Sequence, residues 1–212
     1  SRVINATYIP RNKFKEASKR KEVHGVGVYF LFGESEDQAK PMVYVGEAED
    51  CYKRIKAHNK NKDFWNSVVI ITSRIEAFTR AHGKFLEYYA YQKIKEVDRY
   101  ILENSVEPGC PHISEQIEAE LMDNIQTINI LLSALGYPLF EKIKKPSPQY
   151  LMICKGKKAY AEGEYTDDGF MVFKDSKANV PETQSIHRHL SEIRTKLKEQ
   201  GILKQEGEVF IF

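Results

Sequence analysis

Cysteine is scarce in this chain. Cys51, Cys110 and Cys154 are odd in number, far apart and in no Cys-x-x-Cys pair. That argues against a disulfide framework and against a zinc site, and it fits a reducing cytoplasm. No apolar run approaches the ~20 residues that cross a bilayer. No secretory leader is visible, Ser1 reading as a processed terminus. A dominant charge is missing too: the formal net charge is only +2 over 212 residues, which by itself says little about a polyanionic partner. Internal repeats and low-complexity stretches are absent. What is present is 42% hydrophobic residues, enough to bury the core of one ordinary domain and a small second one.

Local charge is more informative than the net value. Arg11, Lys13, Lys15, Lys19, Arg20 and Lys21 form one basic stretch, and Lys53, Arg54, Lys56, Lys60 and Lys62 a second. A third runs through Lys142, Lys144, Lys145, Lys155, Lys157 and Lys158. A basic side chain that meets a phosphate releases counterions and adds salt-sensitive affinity; otherwise such a run is a solvated face.

The order of patterns predicts a mixed α/β (α+β) domain. A short strand over 3–9 leads into a polar, basic, helical segment, so that 1–24 reads as a basic N-terminal segment. Residues 26–32 are β-branched and aromatic after Gly25 and predict a strand, with Met42 to Val45 returning from a polar connection. Asp50 is a helix N-cap, with the helix reaching about His58. Val68 to Ile71 is a buried strand. Thr79 opens a helix whose Leu86, Ala90, Ile94 and Val97 fall on one stripe. Ser114 opens another, striped by Leu121, Ile125, Ile128, Leu132 and Leu135 and ended by Gly136 and Pro138. These elements span a domain over 25–143. Lys144 to Pro148 is the linker, and 150–212 is a small α+β domain with strands near 150–154, 158–164 and 169–173, a helix over 185–198 and a last strand at 209–212.

Two tripeptides carry the chemistry. Gly27-Val28-Tyr29 and Tyr44-Val45-Gly46 resemble the paired signatures of the GIY-YIG nuclease family. Arg54 stands ten positions after Tyr44 and His58 four further on, similar to the family's arginine and its helical neighbour. Glu87 lies on the next helix, as the family's metal-binding glutamate does, and Asn104 resembles its late asparagine. The match covers about residues 24–105. Lys62-Asp63-Phe64-Trp65 and the run from Thr79 to Glu87 look like a bacterial branch with a C-terminal extension, and the segment from Ala159 to Phe173 resembles that extension, a module of unknown function. One departure stands out. Some relatives carry lysine directly after the second tripeptide, and here the position is Glu47. That removes a cation able to help a tyrosine lose its proton, and it offers a second carboxylate near a metal.

The resemblance implies a core of short, mostly antiparallel sheet flanked by helices and a one-metal hydrolysis of phosphodiesters, with DNA the expected substrate. Glu87 would hold Mg²⁺, which needs only one or two protein carboxylates and for which Mn²⁺ can substitute. Arg54 would grip a non-bridging oxygen. Tyr29 would take the proton of water with Tyr44 beside it, if the pocket lowers a phenol from its usual pKa of about 10. His58 is the competing base, since imidazole titrates near neutrality. Catalytic candidates are thus Tyr29, Tyr44, Arg54, His58, Glu87 and Asn104, and nucleic-acid contacts are expected from Lys53, Arg54, Lys56, Lys60 and Lys84. Cutting both strands with one site per chain would invite a homodimer.

Plainer readings exist for each residue. A strand tyrosine usually packs half-buried, Arg54 and the histidines can be solvated, and a salt bridge would satisfy Glu87. Trp65, Tyr88, Tyr89 and Tyr91 serve either as base-stacking platforms or, more simply, as packing. His187 and His189 are two apart and make a poor metal pair on a helix. A non-catalytic nucleic-acid-binding module or a protein scaffold remains the alternative to the enzyme.

Overall fold

The computed structural model describes all residues except 1–3, 35–39, 59–61, 76, 143–150, 167–168, 182–185 and 187. The chain is mixed α+β and divides into two compact units, Ser1–Ile143 and Lys144–Phe212. The predicted linker from Lys144 to Pro148 lies outside the described residues. Among those described, no helix is long and apolar enough to cross a membrane. All three cysteines are free, and only Cys51 is buried.

The first unit is built on a five-stranded sheet. Its strands are β1 (Ile4–Pro10), β2 (Gly27–Gly33), β3 (Met42–Ala48), β4 (Trp65–Ser73) and the two-residue β5 (Ile101–Leu102). Their spatial order is β1-β4-β2-β3-β5. All pairs are antiparallel except β3 with β5. β2 is central and every residue in it is buried, which explains its uninterrupted apolar sequence. Period-two alternation splits the strands between two cores. Val28, Phe30, Phe32, Val43, Val45, Val69 and Ile71 face α2 (Arg80–Val97) and α3 (Glu115–Ala134). Tyr29, Leu31, Val68 and Ile70 face the other way, toward α1 (Cys51–His58) and the N-terminal turns.

Helix starts follow the local chemistry. Asp50 caps α1 by accepting the Lys53 N–H at 3.0 Å. Ser114 caps α3 by accepting from Ile117. At α2 the Thr79 N–H donates to His82 Nδ1 at 3.0 Å, so a histidine fills the place usually taken by glutamate in a capping box.

The structure corrects several expectations. The basic segment after β1 is not one helix but three 3₁₀ turns, Arg11–Lys13, Glu16–Lys19 and Lys21–Val23. Its buried residues Phe14, Ala17 and Val23 recur at multiples of three, the 3₁₀ period. Nor is it an appendage. Phe14 stacks on Tyr52 with ring centroids 4.8 Å apart, and Arg11 donates to the Trp65 carbonyl at 3.0 Å. Trp65 and Tyr91 are buried and pack the fold rather than offer stacking platforms. β3 runs three residues beyond Val45, and β5 was too short to leave a pattern.

The second unit has a six-stranded antiparallel sheet. Its strands are β6 (Met152–Lys155), β7 (Tyr160–Thr166), β8 (Gly169–Val172), β9 (Lys177–Asn179), β10 (Lys204–Glu206) and β11 (Val209–Ile211). The helix is α4 (Arg188–Glu199). The strands β9 and β10, three residues each, were not expected. His187 lies outside the described residues.

Candidate active site

β3 has β2 along one side for its whole length, but on the other side β5 pairs only Met42 and Val43. The parallel ladder runs from Ile101 N–H to Pro41 O at 2.9 Å and from Glu103 N–H to Val43 O at 2.8 Å. Its next step is made by a side chain. Asn104 Nδ2 donates to Val45 O at 2.7 Å, and Asn104 Oδ1 accepts the Val45 N–H at 3.0 Å. Past Val45 the strand has a free edge among the described residues. Groups from both faces of the sheet meet around that edge.

Asn104 therefore clamps the backbone of β3. It fixes the middle of the second tripeptide, between Tyr44 and Gly46, with both ends of its amide engaged. Asn104→Ala would leave the N–H and C=O of a buried valine unpaired. We expect a loss of about 2–4 kcal/mol of stability, read as a lower urea midpoint with unchanged m-value. An unchanged midpoint would rule this role out.

On one face, β2 and β3 place Tyr29 opposite Gly46 and Leu31 opposite Tyr44. Tyr29 lies across Gly46, where a Cβ would run into its hydroxyl and into the Tyr44 ring. Glycine is required there by close approach, not by backbone conformation. Tyr29 is fully buried and Tyr44 half-buried. α1 supplies His58, whose Nε2 is 2.9 Å from Tyr29 Oη, and Arg54, on the exposed side of the helix. Lys62 Nζ sits 4.3 Å from the centroid of the Tyr44 ring.

On the other face the row Val43, Val45, Glu47 points toward α2. Gly83 packs against this row, where a Cβ would make an ordinary contact of 3.6 Å with Glu47 Cβ. One turn on, Glu87 meets Glu47. Burial and the neighbouring Glu47 carboxylate push the Glu87 carboxyl up to about 7, against the Glu47 backbone N–H, Arg54 and Lys84, which pull it down. Arg80 lies 4.0 Å from Glu47 and 3.7 Å from Glu49.

The phenols differ in character. Burial pushes both up. The hydrogen bond between them favours the Tyr44 anion and opposes the Tyr29 anion, while Arg54 pulls both down. On balance both phenols stay above their ordinary value, so the chain's own groups lower neither to the range a base requires. Burial, with Arg54 and Lys62, lowers His58 to about 4, so its imidazole is neutral at physiological pH.

Residues 152–212 match a family described as a domain of unknown function (DUF4357). No curated protein and no solved structure matches the chain. The matched segment lies within the second unit, and the cluster around β3 belongs to the first.

The structure thus brings Tyr29, Tyr44, Arg54, His58 and Glu87 together and gives Asn104 a supporting place. Lys53 is exposed but pairs with Asp50 at 3.2 Å. Lys56 and Lys84 are exposed, and Lys60 lies outside the described residues. Sequence reasoning missed Arg80. Its only signal was its place at the start of α2, one turn before Gly83 and Lys84.

Proposed function

We propose that the first unit is a metal-dependent endonuclease of the GIY-YIG type acting on nucleic acid, with DNA as the expected substrate. The observation that carries this reading is the meeting of Tyr44, Arg54 and Glu87 at the free edge of β3, backed by Tyr29 and His58. A structural role explains such a set poorly, because Glu87 and Glu47 repel each other in a partly buried place and the fold gains nothing from that.

That repulsion is also the test of fit for a divalent cation. Two adjacent carboxylates that repel each other despite Arg80, Arg54 and Lys84 nearby suit Mg²⁺, which takes one or two such ligands and keeps its waters. Glu87 would hold the ion, with Glu47 beside it. When bound, the ion supplies Lewis-acid charge to the phosphate and its leaving oxygen.

The chain's own residues do the rest. Arg54 binds a non-bridging oxygen with its forked donors, and charge building there in the transition state strengthens the contact. Tyr44 is the base, because it faces solvent while Tyr29 is covered. With the proton of its neutral ring on Nε2, His58 donates to Tyr29 Oη at 2.9 Å, which leaves the Tyr29 hydroxyl to donate toward Tyr44. Two donors in series thus stabilise the Tyr44 phenolate. Lys62 over the ring replaces the cation that Glu47 displaces. Lys53, Lys56 and Lys84 contact flanking phosphates.

The test is relaxation of supercoiled plasmid by purified protein with Mg²⁺, with Mn²⁺ and with EDTA. Metal-dependent nicking that is lost in Arg54→Ala supports the proposal. Salt-sensitive binding without cutting under either ion would instead mark a non-catalytic binding module.

A further inference from the structure

At the end of the sheet where β1 begins, β4 ends and β2 starts lies a cavity of about 940 Å³. Its lining is of mixed chemistry. Val26, Phe78 and Leu131 make an apolar side. Asn5, with its amide, and the exposed cations Lys21 and Arg74 also line the cavity. None of these three has a hydrogen-bond or ion-pair partner among the described residues. The other charged groups on the wall are engaged. Glu22 pairs with Arg20 at 3.7 Å, His24 with Asp50 at 3.3 Å, and Glu49 with Arg80 at 3.7 Å. What the cavity offers a ligand is therefore an apolar wall, one amide and two cations, beside the carboxylates of Glu22 and Glu49 that Arg20 and Arg80 offset.

This set suits a nucleotide. A base needs flat apolar surface and an amide for its edge, as asparagine supplies elsewhere. A phosphate needs the cations. The volume lies in the range of sites that enclose a molecule of that size, about 300–1,000 Å³. Its place suggests which nucleotide. Glu49 also lines the cleft of about 650 Å³ that holds Arg54, Glu47 and Arg80, so the cavity and that cleft adjoin.

We infer that the cavity holds one unstacked nucleotide of the substrate strand, a few positions from the bond that is cut. The placement along the strand rests on the nuclease reading; the nucleotide chemistry does not. Substrates with a bulged, flipped or single-stranded nucleotide are then bound better than a perfect duplex, whose stacked bases cannot enter.

The experiment uses the full chain in EDTA, so that binding is read without cutting. Two DNA probes are compared by anisotropy and 2-aminopurine fluorescence, one with a single bulged 2-aminopurine and one perfectly paired. AMP is titrated separately by calorimetry. Two variants are used. Gly25→Trp fills the cavity from a position where a Cβ makes only an ordinary contact, with Thr72 Cγ2 at 4.0 Å. Arg74→Ala removes one cation. The bulged probe is expected to bind about tenfold tighter than the duplex, the worth of one charge-assisted hydrogen bond. Both variants should lose that preference, with duplex affinity kept in Gly25→Trp. AMP should bind the parent protein and not Gly25→Trp. Equal affinity for the two probes, or a preference that survives Gly25→Trp, overturns the inference. AMP binding without a bulge preference overturns the strand assignment and marks a free-nucleotide site. If the chain cuts nothing yet keeps the preference, the nuclease reading fails alone. If it cuts with Mg²⁺ and shows no preference, this inference fails alone.

Discussion

Glu87→Gln is expected to abolish cleavage and at the same time to stabilise the metal-free protein at pH 8. Loss of the ion's ligand should lower kcat by at least about 10²–10³, the scale of removing one group that stabilises transition-state charge. The stability gain follows from linkage. The Glu87 carboxyl is held up to about 7 by burial and by Glu47, whereas in the unfolded chain it titrates near 4.3. Between those values the folded state holds a proton that the unfolded state has lost, so stability falls as pH rises through the interval and is flat above it. Glutamine keeps the acceptor for the Glu47 N–H and never ionises. The variant should therefore match the parent near pH 4 and exceed it at pH 8 by about 1–2 kcal/mol after solvent screening. His58 works in the opposite sense. Its pKa is lowered to about 4, so its contribution to stability grows as pH rises from about 4 toward 6.5. The difference between variant and parent removes that background. Mn²⁺ should raise the melting temperature of the parent and not of the variant. A variant that still cuts, or that is destabilised equally at both pH values, would sink the assignment of Glu87.

Much of this site was legible in the residues, for definite physical reasons. The strands of the first unit's core declared themselves because β2 and β4 are buried on both faces and admit only apolar, β-branched and aromatic side chains. The starts of α1, α2 and α3 were legible because Asp50, Thr79 and Ser114 are short polar residues placed just before periodic segments. What stayed hidden is what depends on contact across the fold. Glu47 could be seen as a departure from a pattern, but whether it faced the tyrosines or Glu87 depended on β3 continuing to Ala48 with its alternation intact. Asn104 could be aligned with a late asparagine, yet its task of extending a parallel ladder required β5, whose two residues carry no periodicity. The covering of Tyr29 was likewise invisible. It arises because Gly46 lies directly opposite and lets the ring fold over, and register between strands is a tertiary fact. The N-terminal turns were misread as a helix because a run of charges masked the spacing of Phe14, Ala17 and Val23.

The two tyrosines are expected to separate cleanly under substitution. Tyr44→Phe should lower kcat by about 10²–10⁴, the usual worth of a positioned base. Tyr29→Phe should cost only about tenfold, because it removes one hydrogen bond to the Tyr44 oxygen and not the base itself. The pH dependence makes the distinction sharper. If Tyr44 must lose its proton, the rate rises with pH along the ionisation of that phenol. Without the Tyr29 hydroxyl the phenolate is less stable, so the rising limb should move to higher pH and the loss in Tyr29→Phe should shrink in alkaline buffer. His58→Ala acts through the same line of donors and should reproduce the shift of Tyr29→Phe. The double variant Tyr29→Phe/His58→Ala should be little worse than Tyr29→Phe alone, since groups that act in series are not additive. If Tyr29→Phe is instead the dead variant and Tyr44→Phe the mild one, substrate binding must uncover Tyr29, and the base is the residue that is covered in the free protein.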